Sequence, residues 1–273
     1  MKPEQIKDIA FDFIIITPDK YYDDITQFLI GQGIEKGKIK SIKEFNKEYG
    51  KCYCEICRNH VVSWYPAGET QKNCFCPICG SIHRNRFVYH VIKYYTNLLD
   101  GANHSVLHFA PEGFIKEMKN ICGEKEYITV DITPGRADTV ADITDLQFPN
   151  EHFDYIRCNH VMEHVADDKK GFAEMERVLK PEGLLIFSVP ILWDRETLED
   201  EDIKSDEDRK KYYGQGDHVR YYGRDIVERV QRAGFNVQIL FSNEIMSEGE
   251  IDKYGCLSRD SVFLCKKSEE VHE

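Results

Sequence analysis

Two Cys-x-x-Cys pairs, Cys54 with Cys57 and Cys76 with Cys79, constrain this chain more than any other feature. Each pair makes a tight knuckle, and two knuckles joined by a loop of ribbon length bring four thiolates together tetrahedrally around one Zn²⁺. Gly80, directly after Cys79, lets the backbone turn sharply there. Cys52 and Cys74 stand two residues before each knuckle, which leaves six candidates for four places. They fall on alternating positions of the strands leading into the turns, so the two Cys-x-x-Cys pairs are the expected ligands. Four protein ligands close the coordination sphere, and the expected zinc is therefore structural, not a Lewis acid. Ten cysteines in a chain with no export signal are expected as thiols or metal ligands and not as disulfides.

This ribbon is placed at residues 49–90. Before it, at residues 1–48, "FDFIII", the helical spacing of Ile25, Phe28 and Leu29, and "KGKIKSI" predict a small β-α-β extension. At its end, "HRNRFVYHVIKYYTNLL" begins basic and continues as an amphipathic helix. Arg84 and Arg86 then lie beside the ribbon, where they either clamp a phosphate or carboxylate of a substrate or pair within the protein.

Residues 91–273 read differently. "SVLHF", "EYITVDI", "DTVADI", "FDYIRCN", "GLLIFSVP", "FNVQILF" and "SVFLCKK" have strand patterns, with helical stretches at "GFIKEMKNIC", "DKKGFAEMERVL" and "GRDIVERVQRAGF". This alternation predicts an α/β domain, a Rossmann-like and mainly parallel seven-stranded sheet covered on both faces. In such sheets the ligand lies beyond the carboxyl ends of the strands. The first strand runs into Phe109, Ala110 and Glu112 and has a single glycine, Gly113, where a nucleotide loop carries two or three. The second ends at Asp131 and Ile132, with a carboxylate able to accept from both ribose hydroxyls. After the third, Asp142 can accept from an exocyclic amine and Ile143 can pack on an adenine face. Two acids with apolar neighbours suit an adenosine that carries no diphosphate, and such a ligand has less need of a glycine-rich backbone. Ala110 is small enough to admit it, and Glu112 can pair with an ammonium group.

The motifs "YITVDIT", "ADITDLQFPNEHFDYIRCNHVMEHV", "RVLKPEGLLIFSVP" and "GDHVRYYGRDIVERVQRAGF" occur in the order found in class I S-adenosylmethionine-dependent methyltransferases of the small-molecule "type 11" kind, which this chain resembles over roughly residues 100–265. More narrowly it is similar to a bacterial subgroup in which a cysteine ribbon of the form "CPICGSIHRNR" precedes a "VLHFAPE" strand, often in surface-glycan gene sets. The resemblance implies S-adenosylmethionine as cofactor, with Asn159 and His160 holding it or shaping its pocket. It sets Glu163 and His164 towards the acceptor or at a structural helix start. His218 resembles the histidine many small-molecule O-methyltransferases carry before their penultimate helix, and it is the first candidate for the general base. Arg220 and Tyr221 or Tyr222 would recognise an anionic or sugar-like acceptor. The missing Gly-x-Gly-x-Gly loop at residues 108–113 departs from the wider family and leaves the cofactor contacts open. The acidic stretch near 194–213 lacks hydrophobic periodicity and is compatible with an active-site lid or a plain insertion.

A net charge of −12 disfavours nucleic acid, which is bound chiefly through Lys and Arg on phosphates. No apolar run approaches the ~20 residues that cross a bilayer, and a cytoplasmic location is expected. The expected acceptor is a small molecule, nucleotide-linked or phosphorylated, such as an intermediate of capsule or surface-polysaccharide synthesis. RNA or protein methylation through the ribbon, and a non-catalytic scaffold, are the alternatives. The oligomeric state is left open.

Overall fold

The computed structural model describes residues 10–17, 19–68, 71–112 and 127–268, and the helix expected over "GFIKEMKNIC" lies outside them. The chain forms two compact units: one runs to Arg86 and takes in Glu248–Leu257, and the other holds Phe87–Ser247 and the chain after Leu257.

In the first unit β1 (Ile14–Ile16) and β2 (Ile39–Ser41) pair in parallel, with helix Tyr22–Gly31 between them in sequence. Ile16, Leu29, Ile34 and Ile39 bury one another in a small core, as a β-α-β segment requires. Helix Ile42–Tyr49 follows at once. A capping box starts it: Ser41 Oγ accepts from the Glu44 N–H at 3.1 Å while the Glu44 carboxylate accepts from the Ser41 N–H at 2.9 Å. Two antiparallel hairpins carry the cysteines, β3 (Cys52–Cys54) with β4 (Asn59–Val61) and β5 (Tyr65–Ala67) with β6 (Gln71–Phe75). Helix Glu248–Tyr254, which follows the methyltransferase-like motifs in sequence, packs on β3 in this unit. Its seat is specific. A Cβ on residue 255 would stand 2.3 Å from the Trp64 ring, so only a glycine fits, and Trp64 Nε1 donates to the Asp252 carbonyl at 3.1 Å.

The second unit is built on one seven-stranded sheet. Its strands are β7 (Val106–Phe109), β8 (Tyr127–Asp131), β9 (Thr139–Val140), β10 (Phe153–Asn159) and β11 (Leu179–Ser188). After β12 (Ile191–Leu192) and β13 (Tyr222–Gly223), which pair only with each other, it is completed by β14 (Phe235–Phe241) and β15 (Ser261–Lys267). The order is β14-β15-β11-β10-β7-β8-β9, and β15 alone runs antiparallel to its neighbours. All seven segments expected as strands are the strands of this sheet. Phe172 of helix Asp168–Val178, Phe187 of β11 and Phe263 of β15 lie ring against ring, 5.5 and 4.5 Å apart, in its core. Between β7 and β10 the order reverses, which opens a crevice at the carboxyl ends of the strands.

The acidic stretch near 194–213 is held by polar pairs and not by an apolar face. Helix Asp206–Tyr213 is capped by Ser205 Oγ on the Asp208 N–H at 3.0 Å, and Glu199 pairs with Arg220 and Arg229, each at 3.0 Å. Among the described residues no helix is long and apolar enough to cross a membrane.

Candidate active site

The strands β7 and β10 end side by side, and the residue after each takes up a left-handed backbone: Ala110 has φ 46° and His160 φ 53°. That conformation costs a non-glycine residue roughly 1–2 kcal/mol. It is held by hydrogen bonds from the Ala110 N–H to the Val130 carbonyl at 2.8 Å and from the His160 N–H to the Ser188 carbonyl at 2.7 Å. Ala110 therefore makes the kind of turn for which a glycine is usually chosen. Strain of this kind concentrates at ligand sites.

Over these turns lies a cavity of about 600 Å³, within the range of small-molecule sites. Of the expected cofactor residues, Phe109, Ala110, Asp131, Ile132, Asp142, Ile143 and His160 line it. Asp131 Oδ1 accepts from the Thr133 N–H at 2.7 Å, and Asp142 Oδ1 accepts from the N–H and hydroxyl of Thr144, both at 2.8 Å. The bonds from Thr144 lower the Asp142 pKa, so both carboxylates are pinned by their own turns and Asp142 is held as an anion. With Asp167 and Asp217 also on the wall, four carboxylates among the described residues face one guanidinium, that of Arg136, a balance suited to a cationic ligand.

Two expected contacts are not on this wall. Glu112 is ion-paired with buried His108 at 3.0 Å and with Arg157 at 3.7 Å. Burial raises its pKa, but Arg157 and His108 outweigh that and hold the carboxyl well below its usual range. Its charge is balanced inside the unit, which removes the reason for pairing it with a cofactor ammonium. Asn159 instead accepts from the Ser188 hydroxyl at 3.2 Å. Sequence reasoning passed over His108 and Arg157, which are direct register partners on β7 and β10. A histidine and an arginine inside otherwise apolar strands were the available signal. Arg136 was missed too, because it sits in an irregular loop with no motif.

The 3-10 turn Met162–His164 follows β10 and carries two of the three expected catalytic residues. Glu163 is buried, and its Oε1 accepts from His160 Nδ1 at 3.1 Å. His164 lines the cavity, with Nδ1 3.2 Å from the Asp217 carbonyl and 3.4 Å from its carboxylate. His218, the first candidate for the base, stands behind it with the rings edge to face at 4.7 Å. It is buried and donates Nδ1–H to the Tyr213 carbonyl at 2.9 Å, and burial pushes its pKa down, which keeps the ring neutral at pH 7. The structure thus puts His164 in front and His218 behind.

Arg220, expected to meet the acceptor, is only 1% exposed. It donates to the carbonyls of Met162 at 3.0 Å and Ala166 at 2.8 Å and to that of Val165, and pairs with Glu199. Its place is inside, clamping the turn that carries Glu163 and His164. Tyr221 is tied to the insertion by backbone bonds to Leu198, both 2.9 Å. Arg84 and Arg86 belong to the first unit, whereas the described residues of the cavity wall belong to the second. Arg84 is half-buried, while buried Arg86 donates to the carbonyls of Cys74, Tyr254 and Gly255 at 2.6–3.1 Å and stacks over Trp64 at 4.1 Å. Internal pairing, not substrate clamping, is its use.

In the first unit the sulfurs of Cys54 and Cys79 are 3.7 Å apart and those of Cys57 and Cys76 3.8 Å, with all four within 4.8 Å of one another. Four thiolates at about 2.3 Å from a tetrahedral ion stand about 3.8 Å apart, so the cluster fits such an ion. Gly80 turns at φ 72° and donates to the Cys76 carbonyl at 3.0 Å, while Arg58 takes the matching position of the other knuckle at φ 56°. Cys52 and Cys74 lie outside the cluster.

Residues 113–187 match a family described as a methyltransferase domain. The chain is 30% identical over 90 residues to the uncharacterised methyltransferase YcgJ of Bacillus subtilis, covering 30% of this chain and 35% of that protein. It is 29% identical over 120 residues to an uncharacterised protein of Methanocaldococcus jannaschii, covering 44% of this chain and 52% of that one. These alignments span between about a third and about half of the curated relatives' lengths. Among solved structures it is similar to a chain of the complex between the Trm112 methyltransferase activator of Haloferax volcanii and a methyltransferase, with TM-score 0.50 and 14% identity over 70% of this chain and 92% of that chain. The second unit therefore has the α/β fold of methyltransferases.

Proposed function

We propose that this chain transfers a methyl group from S-adenosylmethionine to an oxygen of a small polar acceptor. The observation that carries this is the pair of pinned carboxylates, Asp131 and Asp142, on one wall of a 600 Å³ cavity at the point where the strand order reverses. Asp131 would take the ribose hydroxyls and Asp142 the adenine amine, with Ile143 against the ring. The acidic wall suits a ligand bearing both a sulfonium and an ammonium. When bound, the cofactor supplies an activated methyl group, and the protein's task is to align the acceptor oxygen in line with it and to remove its proton.

Removal of that proton falls to the cluster of Glu163, His164 and His218, of which His164 reaches the cavity. Arg136 offers a partner to a phosphate or carboxylate of the acceptor. A nucleotide-linked or phosphorylated sugar, as in surface-polysaccharide synthesis, is the class favoured by the sequence resemblance. The four clustered cysteines would hold one structural zinc, and elemental analysis finding far less than one zinc per chain would remove it.

Titration of S-adenosylhomocysteine by calorimetry tests the cofactor. Wild-type protein should bind, and Asp131→Ala should lose roughly 10- to 100-fold in affinity, as for a hydrogen bond to a charged group. Folded wild-type protein that takes up no S-adenosylhomocysteine would end the proposal. His164→Ala should keep that affinity while lowering turnover by about 10²- to 10⁴-fold.

A further inference from the structure

The cluster that faces the acceptor has the construction of a metal site. Ligand atoms from Glu163, His164 and His218 lie within 4.8 Å of one another. Glu163 and His218 are almost wholly buried, yet among the described residues Glu163 Oε2 and His218 Nε2 have no hydrogen-bond partner. Leaving two such atoms bare is costly unless something else meets them.

The outer contacts say what that is. His218 Nδ1 is 2.9 Å from the Tyr213 carbonyl and His164 Nδ1 is 3.2 Å from the Asp217 carbonyl. A carbonyl can only accept, so both rings carry their proton on Nδ1 and present the Nε2 lone pair. Glu163 has its other oxygen, Oε1, fixed by His160 Nδ1 at 3.1 Å. Each group is thus oriented by a partner on its far side, the arrangement in which metal-binding histidines and carboxylates are held.

We infer that Glu163, His164 and His218 bind one divalent transition-metal ion, with imidazole and carboxylate donors suited to Zn²⁺, Fe²⁺ or Mn²⁺. Two imidazoles and one carboxylate leave at least one coordination position open, as catalytic sites require. His164 lies on the cavity wall, so the open position is on the cavity side. Neighbouring ligands of an ion at about 2.1 Å stand about 3.4 Å apart, so closure needs a shift of the order of 1 Å, which the part-exposed His164 ring can supply. Resting on the proposed methyl transfer, an acceptor hydroxyl bound there would be acidified by the ion and would give its proton to solvent through the cavity as its oxygen takes the methyl group from the sulfonium. His164 and His218 then serve as ligands, and the ion-bound oxygen needs no side-chain base.

The test uses the whole 273-residue chain and needs no S-adenosyl compound, so its failure and failure of the cofactor titration are separate results. Wild type, His164→Ala and Glu163→Gln are dialysed against Zn²⁺, freed of unbound ion and analysed for metal per chain, with circular dichroism reporting the fold. The expected result is one ion more per chain in wild type than in either variant. Co²⁺ added to wild type from which mild chelation has removed the metal of the histidine site, leaving the cysteine-bound zinc in place, should give visible absorption without thiolate charge transfer, and this absorption should be missing in His164→Ala treated the same way. Equal metal content in wild type and folded His164→Ala, or no such cobalt spectrum in wild type, would overturn the inference. If Glu163→Gln does not fold, those two readouts decide alone.

Discussion

At the end of β7, Ala110 takes with its methyl group the left-handed turn for which a glycine is usually chosen. Ala110→Gly should therefore stabilise the protein by up to about 1 kcal/mol, the strain relieved less the entropy glycine adds to the unfolded chain, and keep affinity for S-adenosylhomocysteine. Ala110→Val, β-branched in the same conformation, should weaken both; denaturation midpoints and calorimetry measure the two effects. Glu112 gives a prediction in pH. Folding lowers its pKa through Arg157 and His108, so its stabilising contribution is complete above the unfolded value, about 4.3, and is lost as pH falls towards the lower folded value. Glu112→Gln should be less stable than wild type at neutral pH and show a flatter acid limb in urea titrations across pH 2–5, whereas parallel limbs would mean that the carboxylate carries no such linkage.

At the level of elements, the insertion near 194–213 is joined to the sheet unit by charge. Arg220 is buried against Glu199, lies 3.9 Å from buried Asp168 and holds the carbonyls of Met162, Val165 and Ala166. Removing only the cation leaves two carboxylates without it, and Arg220→Met should cost roughly 3–5 kcal/mol in chemical denaturation. The variant should also be cleaved faster within 194–213 under limited proteolysis, because the insertion loses its anchor. None of this was legible beforehand, since a polar element without periodicity looks the same whether its charges meet solvent or partners far along the chain. The seven strands were legible because two covered faces demand apolar runs, and the runs stand in the sequence as such.

For the molecule as a whole, two tightly built centres coexist, four cysteines in the first unit and the Glu163–His164–His218 cluster in the second. If the four cysteines hold the proposed zinc, a chelator strong enough to strip it should lower the thermal midpoint, and restoring zinc should bring it back, since a closed structural site contributes directly to folding. An unchanged midpoint with zinc removed would show that the hairpins stand without the ion. The sequence by itself determined the strand count, the two cysteine pairs and the carboxylates at two strand ends, because each is written in local spacing that needs no partner. Only the tertiary structure decided that Arg86 and Arg220 lie inside, that Glu248–Leu257 packs in the first unit, and that His218 meets Glu163 and His164. Those outcomes depend on which distant groups the folded chain brings within a few ångströms, and no spacing along the chain encodes that distance.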